Sequence, residues 1–427
     1  MEKLYKLFQQ HPISTDSRNI VAGCLFFALK GEHFDGNRFA MQTIEGGAAY
    51  AVVDDPSLPS HPQLIKTDDV LTTLQGLALY HRRQLNIPIV AITGTNGKTT
   101  TKELTALVLS TKYKIGVTKD NMNNRLGVSL TLLSMDKSIQ IGVVEIGAGK
   151  HGDIAALSRL TEPNFGLITN VGKAHLEGLG SLEGVRRTKG ELYDFLVRNG
   201  GTILYNSDDP TLTEMVAERK ATSLIRYGIK ENEVTILPTD MAHPFLRLSV
   251  KAYPDIDTHL IGSYNTGNVL AALAIGTQFG ISPQAAAAAV SRYEPVNNRS
   301  QLVHTAAGHT VIMDAYNANP SSMATAIENF VELRESNKWA VLGDMLELGN
   351  ETAAEHQDII RLLREKGLSN IFLVGEHFMQ ANNNTFNAFP SVDELKAYLR
   401  QHPLPTNAVV LLKGSRGIKL EQALEEL

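Results

Sequence analysis

Cysteine is almost missing from this chain of 427 residues, where Cys24 stands alone. No intrachain disulfide can form, a reducing compartment is expected, and the thiol reads as a small buried hydrophobe. Long apolar runs are missing too. No stretch approaches about 18 consecutive apolar residues, so a helical membrane span is not expected. The opening residues, Met1 to Gln10, lack the uninterrupted apolar core of a signal peptide, and a cytoplasmic protein is the expectation. Basic excess is also absent. A net charge of −5 and a pI near 6.2 argue against a nucleic-acid partner, whose affinity would come mainly from a basic surface neutralising phosphates. Small anionic ligands need only a local positive pocket. With 43% apolar and 20% charged residues the chain has material for several globular cores, and about 150 residues per domain suggests three.

The stretch around which the chain is organised runs from Ile87 to Glu103. An apolar β-branched run over 87–93 reads as a buried strand, and a helix is favoured from Lys98 onward. Between them Gly94, Thr95, Asn96, Gly97, Lys98, Thr99 and Thr100 form a phosphate cradle. The glycines let backbone N–H groups face an anion, Lys98 adds a point charge, and the Thr99 hydroxyl can ligate Mg²⁺. The strict P-loop pattern wants glycine at position 92, where this chain has Ile92. The loop keeps its second glycine, its lysine and its threonine.

Residues 1–85 read as a first domain with short strands over 24–29 and 49–53. Its loops carry Thr15, Ser17 and Arg18, then Lys30 and Gly31, and serve equally as ordinary turns or as contacts to a polar ligand. Residues 86–298 alternate strand and helix, with strands over 87–93, 113–117, 139–146, 165–170 and 201–206 and shorter alternating strands within 222–262. Residues 299–427 repeat the pattern over 310–315, 339–343, 371–375 and 408–413. The fold class is therefore α/β in three domains: a small α/β N-terminal domain, a central parallel sheet with a P-loop, and a Rossmann-like C-terminal domain. Ligands of such sheets gather beyond the carboxyl ends of the strands.

Several chemistry-bearing residues fall on those ends. Glu145 closes one strand, where a buried acid is costly unless it meets a cation, and His175 follows the next. Beside a nucleotide the two suit a divalent metal. Lys189, on a helix starting near Leu182, reads by itself as part of a solvated basic face. Asn265 is placed to cap an Ala-rich helix, a role that leaves Asn268 unexplained.

Taken together, Gly-Thr-Asn-Gly-Lys-Thr at 94–99, Glu145, His175, Lys189-Gly190-Glu191, Asn265, Asn268 and Arg299 resemble the Mur ligases, ATP-dependent amide-forming enzymes of peptidoglycan synthesis, over nearly the whole chain. Asn121-Met122-Asn123-Asn124, His175-Leu176-Glu177-Gly178, Asp314-Ala315-Tyr316-Asn317-Ala318-Asn319-Pro320 and Leu342-Gly343-Asp344-Met345-Leu346-Glu347-Leu348 are similar to the branch whose amine substrate is D-alanyl-D-alanine. The Asp-Asn-Pro-Arg signature of the diamino-acid-adding branch is absent.

The resemblance implies that a UDP-N-acetylmuramoyl-tripeptide carboxylate attacks the γ-phosphate of ATP, and that the dipeptide amine then takes the acyl group from phosphate. It implies catalytic roles for Lys98, Glu145, His175 and Lys189, and Mg²⁺ near Thr99, Glu145, His175 and a carbamylated Lys189. The nucleotide would meet residues 94–100 with Asn265, Asn268, Arg299, Asp314 and Asn317. The other substrates would meet Thr15, Ser17, Arg18, Lys30, Gly31, Asn123, Asn124, Asn319, Lys413 and Arg416. A monomer is expected.

One departure stands out. These ligases commonly have Asn-His where this chain has Gly149-Lys150, so either His151 serves by a shift of one residue or the loop has lost a substrate contact. Two rivals are a folate-type glutamate ligase of the same architecture, which would lack the N-terminal domain and the Tyr-Asn-Ala-Asn-Pro stretch, and a nucleotide switch or scaffold, which would not need Lys98, Glu145, His175 and Lys189 together.

Overall fold

The structure, a computed structural model, describes residues 1–239, 243–296, 298–333 and 335–427. The run before the phosphate loop forms the strand Ile89–Thr93, buried at every position. A strand without a polar face needs cover on both sides. Ile89 and Ala91 pack toward helices Val70–Leu85, Arg125–Leu133, Asp153–Thr161 and Leu182–Arg198, whereas Val90 and Ile92 pack toward helices Lys98–Ser110, Thr266–Gln278 and Pro283–Ser291.

Six parallel strands run in the order Leu224–Tyr227, Thr202–Asn206, Phe165–Ile168, Ile89–Thr93, Ile141–Glu145, Ile115–Val117. From the first strand the chain builds one half of the sheet and then returns to build the other. The carboxyl end of Ile89–Thr93 is thus the switch point, where such sheets bind ligands. Leu224–Tyr227 lies in the stretch read as short alternating strands, yet it extends this parallel sheet. An edge strand is covered on few sides and so alternates in burial like an antiparallel one. Val234–Ile236, Arg247–Val250 and Ile256–Asp257 do form an antiparallel sheet, and residues 240–242 of that stretch lie outside the described residues.

The N-terminal sheet is parallel, Ile13–Ser14, Leu25–Phe27, Tyr50–Val53, Leu64–Lys66. The helix Val70–Leu85 that follows shares one core with this sheet and with the central helices, and Arg82 donates from Nε to the Thr161 carbonyl at 2.8 Å. The C-terminal sheet has the order Gln301–His304, Thr310–Asp314, Val409–Lys413, Lys338–Gly343, Ile371–Val374, Asn387–Phe389, with only the first pairing antiparallel and a core on each face. Its two edge strands were not expected, being short and too polar to stand out from loop.

Candidate active site

Each loop glycine does a specific job. Gly94 has φ +146°, and a Cβ there would lie 1.9 Å from Thr169 Oγ1; Gly97 has φ +78°, and a Cβ would lie 2.5 Å from Asn268 Oδ1. Both left-handed conformations favour glycine. The glycine missing at position 92 is no loss, because Ile92 is still inside the strand and the turn starts at Gly94. The neighbouring strand end fastens the loop. Asn96 N–H donates to Asn170 Oδ1 at 2.9 Å, Asn170 Nδ2 donates to the Asn96 carbonyl at 3.0 Å, and Thr95 Oγ1 accepts from Gly172 N–H at 2.9 Å. Lys98 Nζ donates to the Gly94 and Thr95 carbonyls, each at 2.9 Å. Burial pushes its ammonium below the usual lysine range.

Glu145, 1% exposed, accepts from Thr99 Oγ1 at 2.9 Å and from Asn123 Nδ2 at 2.8 Å. Lys189 is 2% exposed, which overturns its reading as part of a solvated face. Only the far side of its helix meets water. Burial pushes the Lys189 amine down to about 7, with the Lys98 cation acting in the same direction and Glu145 against it. Among the described residues no three His, Cys, Asp or Glu side chains form a metal cluster. A cation here would rest on Glu145 and Thr99, helped by oxygens that ATP brings or that a modified Lys189 supplies.

Asn265 occupies the N-cap position of helix Thr266–Gln278 but does not cap it by its side chain. Its backbone there is already helical, so Nδ2 turns back to the Ile261 carbonyl at 2.8 Å and Oδ1 accepts from Asn268 Nδ2 at 2.8 Å. Asn268 Oδ1 accepts in turn from Thr101 Oγ1 at 3.0 Å, locking this helix onto the phosphate-loop helix. That is the missing account of Asn268.

The C-terminal sheet aims its carboxyl ends at the same place. Arg299 lies 3.6 Å from the Tyr316 ring centroid, a close cation–π stack, and Lys413, itself buried, pairs with Asp314 at 2.6 Å. Asn319 caps helix Pro320–Glu332 and donates from Nδ2 to Asn96 Oδ1 at 2.8 Å. The two sheets enclose a cavity of about 1420 Å³ that continues toward Leu29 and Lys30, just beyond the N-terminal strand Leu25–Phe27. Pockets for one ligand commonly hold about 300–1,000 Å³, so this one has room for more than one substrate.

Most nominated residues border the cavity: Thr95 to Thr100, Glu145, His175, Lys189, Asn265, Asn268, Arg299, Asp314 and Asn317, together with Lys30, Asn123, Asn124, Asn319 and Lys413. Thr15, Ser17, Arg18, Gly31, Gly94 and Arg416 do not. Arg18 holds Asp16 through two bonds of 2.9 Å. Asn124 caps helix Arg125–Leu133. His151 does not replace the missing Asn-His, because its Nδ1 bonds Thr188 Oγ1 at 2.7 Å and its Nε2 meets Arg187 Nη2 at 3.3 Å, both on helix Leu182–Arg198. Sequence reasoning passed over Thr169, Asn170, Tyr316, Glu347 and Glu355 as site residues. The first three stand at strand carboxyl ends, a signal that could have found them; Glu355 lies on a helix and carried none.

A phosphate-binding loop at a switch point, faced across a cleft by a second α/β sheet, defines an ATP-using enzyme that brings two further substrates together. Family models described as Mur ligase family, catalytic domain; Mur ligase middle domain; and Mur ligase, glutamate ligase domain match residues 9–82, 92–276 and 298–416. The UDP-N-acetylmuramoyl-tripeptide–D-alanyl-D-alanine ligase of Bacillus subtilis is 34% identical over 98% of this chain and 93% of its own length, and that of Escherichia coli 33% over 97% and 93%. A crystal structure of MurF from Acinetobacter baumannii superposes with a TM-score of 0.87 at 29% identity, covering 97% of this chain and 92% of that one. The chain belongs to the Mur ligase family.

Proposed function

We propose that this protein is the ATP-dependent ligase that joins D-alanyl-D-alanine to UDP-N-acetylmuramoyl-tripeptide, forming ADP and phosphate in peptidoglycan precursor synthesis. The observation that carries it is the buried Glu145 and Lys189 pair, set beside the phosphate loop in a cavity open toward both flanking sheets. Residues 1–85 receive the UDP-bearing substrate, 86–298 hold ATP, and 299–427 close over it and present the dipeptide. A carboxylate oxygen of the tripeptide attacks the γ-phosphorus, the bond to ADP breaks, and an acyl phosphate forms. The dipeptide amine then attacks the acyl carbon, phosphate leaves with its bonding electrons, and the amine gives up a proton. Bringing carboxylate to phosphate sets anion against anion, and Lys98 and Arg299 line the cavity as cations against that repulsion.

Mg²⁺ seated against Thr99 and Glu145, with His175 at its rim, would neutralise the phosphates further. A lysine amine near 7 has a large neutral fraction at physiological pH, which attack on carbon dioxide requires. Carbamylation of Lys189 would replace a buried cation by an anionic oxygen ligand. The protein works in the cytoplasm as a monomer. The test is phosphate release from ATP with each component omitted in turn. Release that requires both tripeptide and dipeptide, with a product heavier by one dipeptide residue, is expected; turnover without either substrate, or none at all, refutes the reading.

A further inference from the structure

The loop after strand Phe165–Ile168 is stitched at alternate residues to helices Pro320–Glu332 and Thr352–Glu365 and to the loop after strand Lys338–Gly343, all flanking the C-terminal sheet. Lys173 Nζ pairs with Glu355 at 2.6 Å, and its N–H donates to Ser321 Oγ at 2.9 Å. His175 Nδ1 meets Glu347 Oε2 at 2.5 Å, and Glu177 N–H donates to the Glu347 carbonyl at 3.3 Å. Both members of the middle pair hold left-handed backbone, His175 at φ +51° and Glu347 at φ +64°. Side chains rarely adopt it without a functional or structural reason. The Glu347 loop is itself braced, Met345 N–H donating to His356 Nε2 at 3.1 Å and Leu346 N–H to Ser415 Oγ at 2.9 Å.

We propose that Glu347 is a positioning residue that orients the His175 imidazole, so that the ring is set for the reaction only while the C-terminal sheet is docked. A carboxylate accepts, so the ring hydrogen belongs on Nδ1 and the neutral imidazole keeps its lone pair on Nε2. His175 borders the same cavity as Lys98 and Glu145, so that lone pair is the ring's means of holding a cation there. A purely adhesive role fits poorly. The Glu347 side chain is 58% exposed, and exposed pairs add little stability, whereas Lys173 with the well-buried Glu355 already joins the two parts.

The test compares full-length Glu347→Ala and Glu347→Gln with the parent. ¹⁵N NMR of the His175 ring in nucleotide-free protein, assigned with His175→Gln, reads the tautomer without turnover. The parent is expected to carry its proton on Nδ1. Glu347→Ala should give a mixture, with kcat down by about 10–100-fold, a higher Mg²⁺ requirement and KM for the muramoyl substrate within about twofold. Glu347→Gln, which still accepts the bond, should restore the Nδ1 tautomer and most of kcat. An unchanged tautomer in Glu347→Ala, an unchanged kcat, or equal impairment of both variants with every KM raised would overturn the proposal. The kinetic arm rests on the ligase reading; if the parent shows no ligation that reading fails, and the NMR arm still judges the proposal.

Discussion

The nucleotide end and the N-terminal end of the cavity are built in opposite ways. At the nucleotide end polar side chains are buried and bonded to partners far along the chain: Thr99 to Glu145, Thr101 to Asn268, Asn96 to Asn319. At the N-terminal end the candidate groups are exposed and satisfied close to home. Lys30, on the cavity's edge, is taken up by Asp54, and Arg18, which stands outside the cavity with its side chain 88% exposed, by Asp16 two positions away. Phosphate is small and rigid, so a preorganised seat gains affinity by lowering the ordering cost. A long flexible substrate can be met by side chains that exchange an internal partner for it.

The sharpest break of this contrast is at Lys98 and Lys189. Lys98→Met and Lys189→Met should each lower ligation by at least about 100-fold in the phosphate-release assay, the first because it removes a cation facing the phosphates in a desolvated site, the second because it removes the oxygen ligand that a carbamylated Lys189 would give to Mg²⁺. Lys189→Met should also change stability against pH. With a folded value of about 7, below the usual value of about 10.4, the unfolded chain holds a proton that the folded one releases between those limits. Stability therefore rises with pH across that window in the parent, and denaturant titrations of the variant should show that rise reduced, with the part due to the buried Lys98 remaining.

Next in size is the join between the two halves of the cavity. Lys173→Met leaves Glu355, 5% exposed, without its cation. The lysine is half in solvent, so the cost falls below that of breaking a fully buried pair, at roughly 1–2 kcal/mol by denaturant unfolding. Adding Glu355→Gln should recover most of it. Asn319→Ala removes a cap at about 1 kcal/mol and should raise KM for ATP through the lost bond to Asn96. The smallest effect belongs to the N-terminal end: Arg18→Ala should leave the melting temperature unchanged and raise KM for the UDP-bearing substrate at constant kcat. A lowered melting temperature there would mean that the arginine is structural and the contrast false.

Much of the fold was legible because buried parallel strands are continuous apolar runs and the turns between them are polar. The strand Ile141–Glu145, for instance, falls within the expected 139–146. Edges were harder, since Asn387–Phe389 and Gln301–His304 are short and half-covered. In the site, Gly94, Gly97, Lys98 and Thr99, picked out by a local pattern, stand in the turn and helix start that follow the buried strand. Asparagines were the weak point. The same side chain can cap a helix, bridge two loops or touch a ligand, and Asn124, Asn265 and Asn319 are each already engaged within the protein.

The sequence by itself determined the glycine-rich loop, the alternation of strand and helix, and the lack, among the described residues, of any helix long and apolar enough to cross a membrane, because each depends on residue type and near spacing. Tertiary structure alone decided that Lys189 is buried rather than solvated, that His151 faces a helix and not the loop it was to serve, and that Glu347 reaches His175 and Glu355 reaches Lys173. Those outcomes depend on contacts between residues tens to hundreds of positions apart. Burial and long-range pairing are set by how the sheets dock, and no local pattern encodes that.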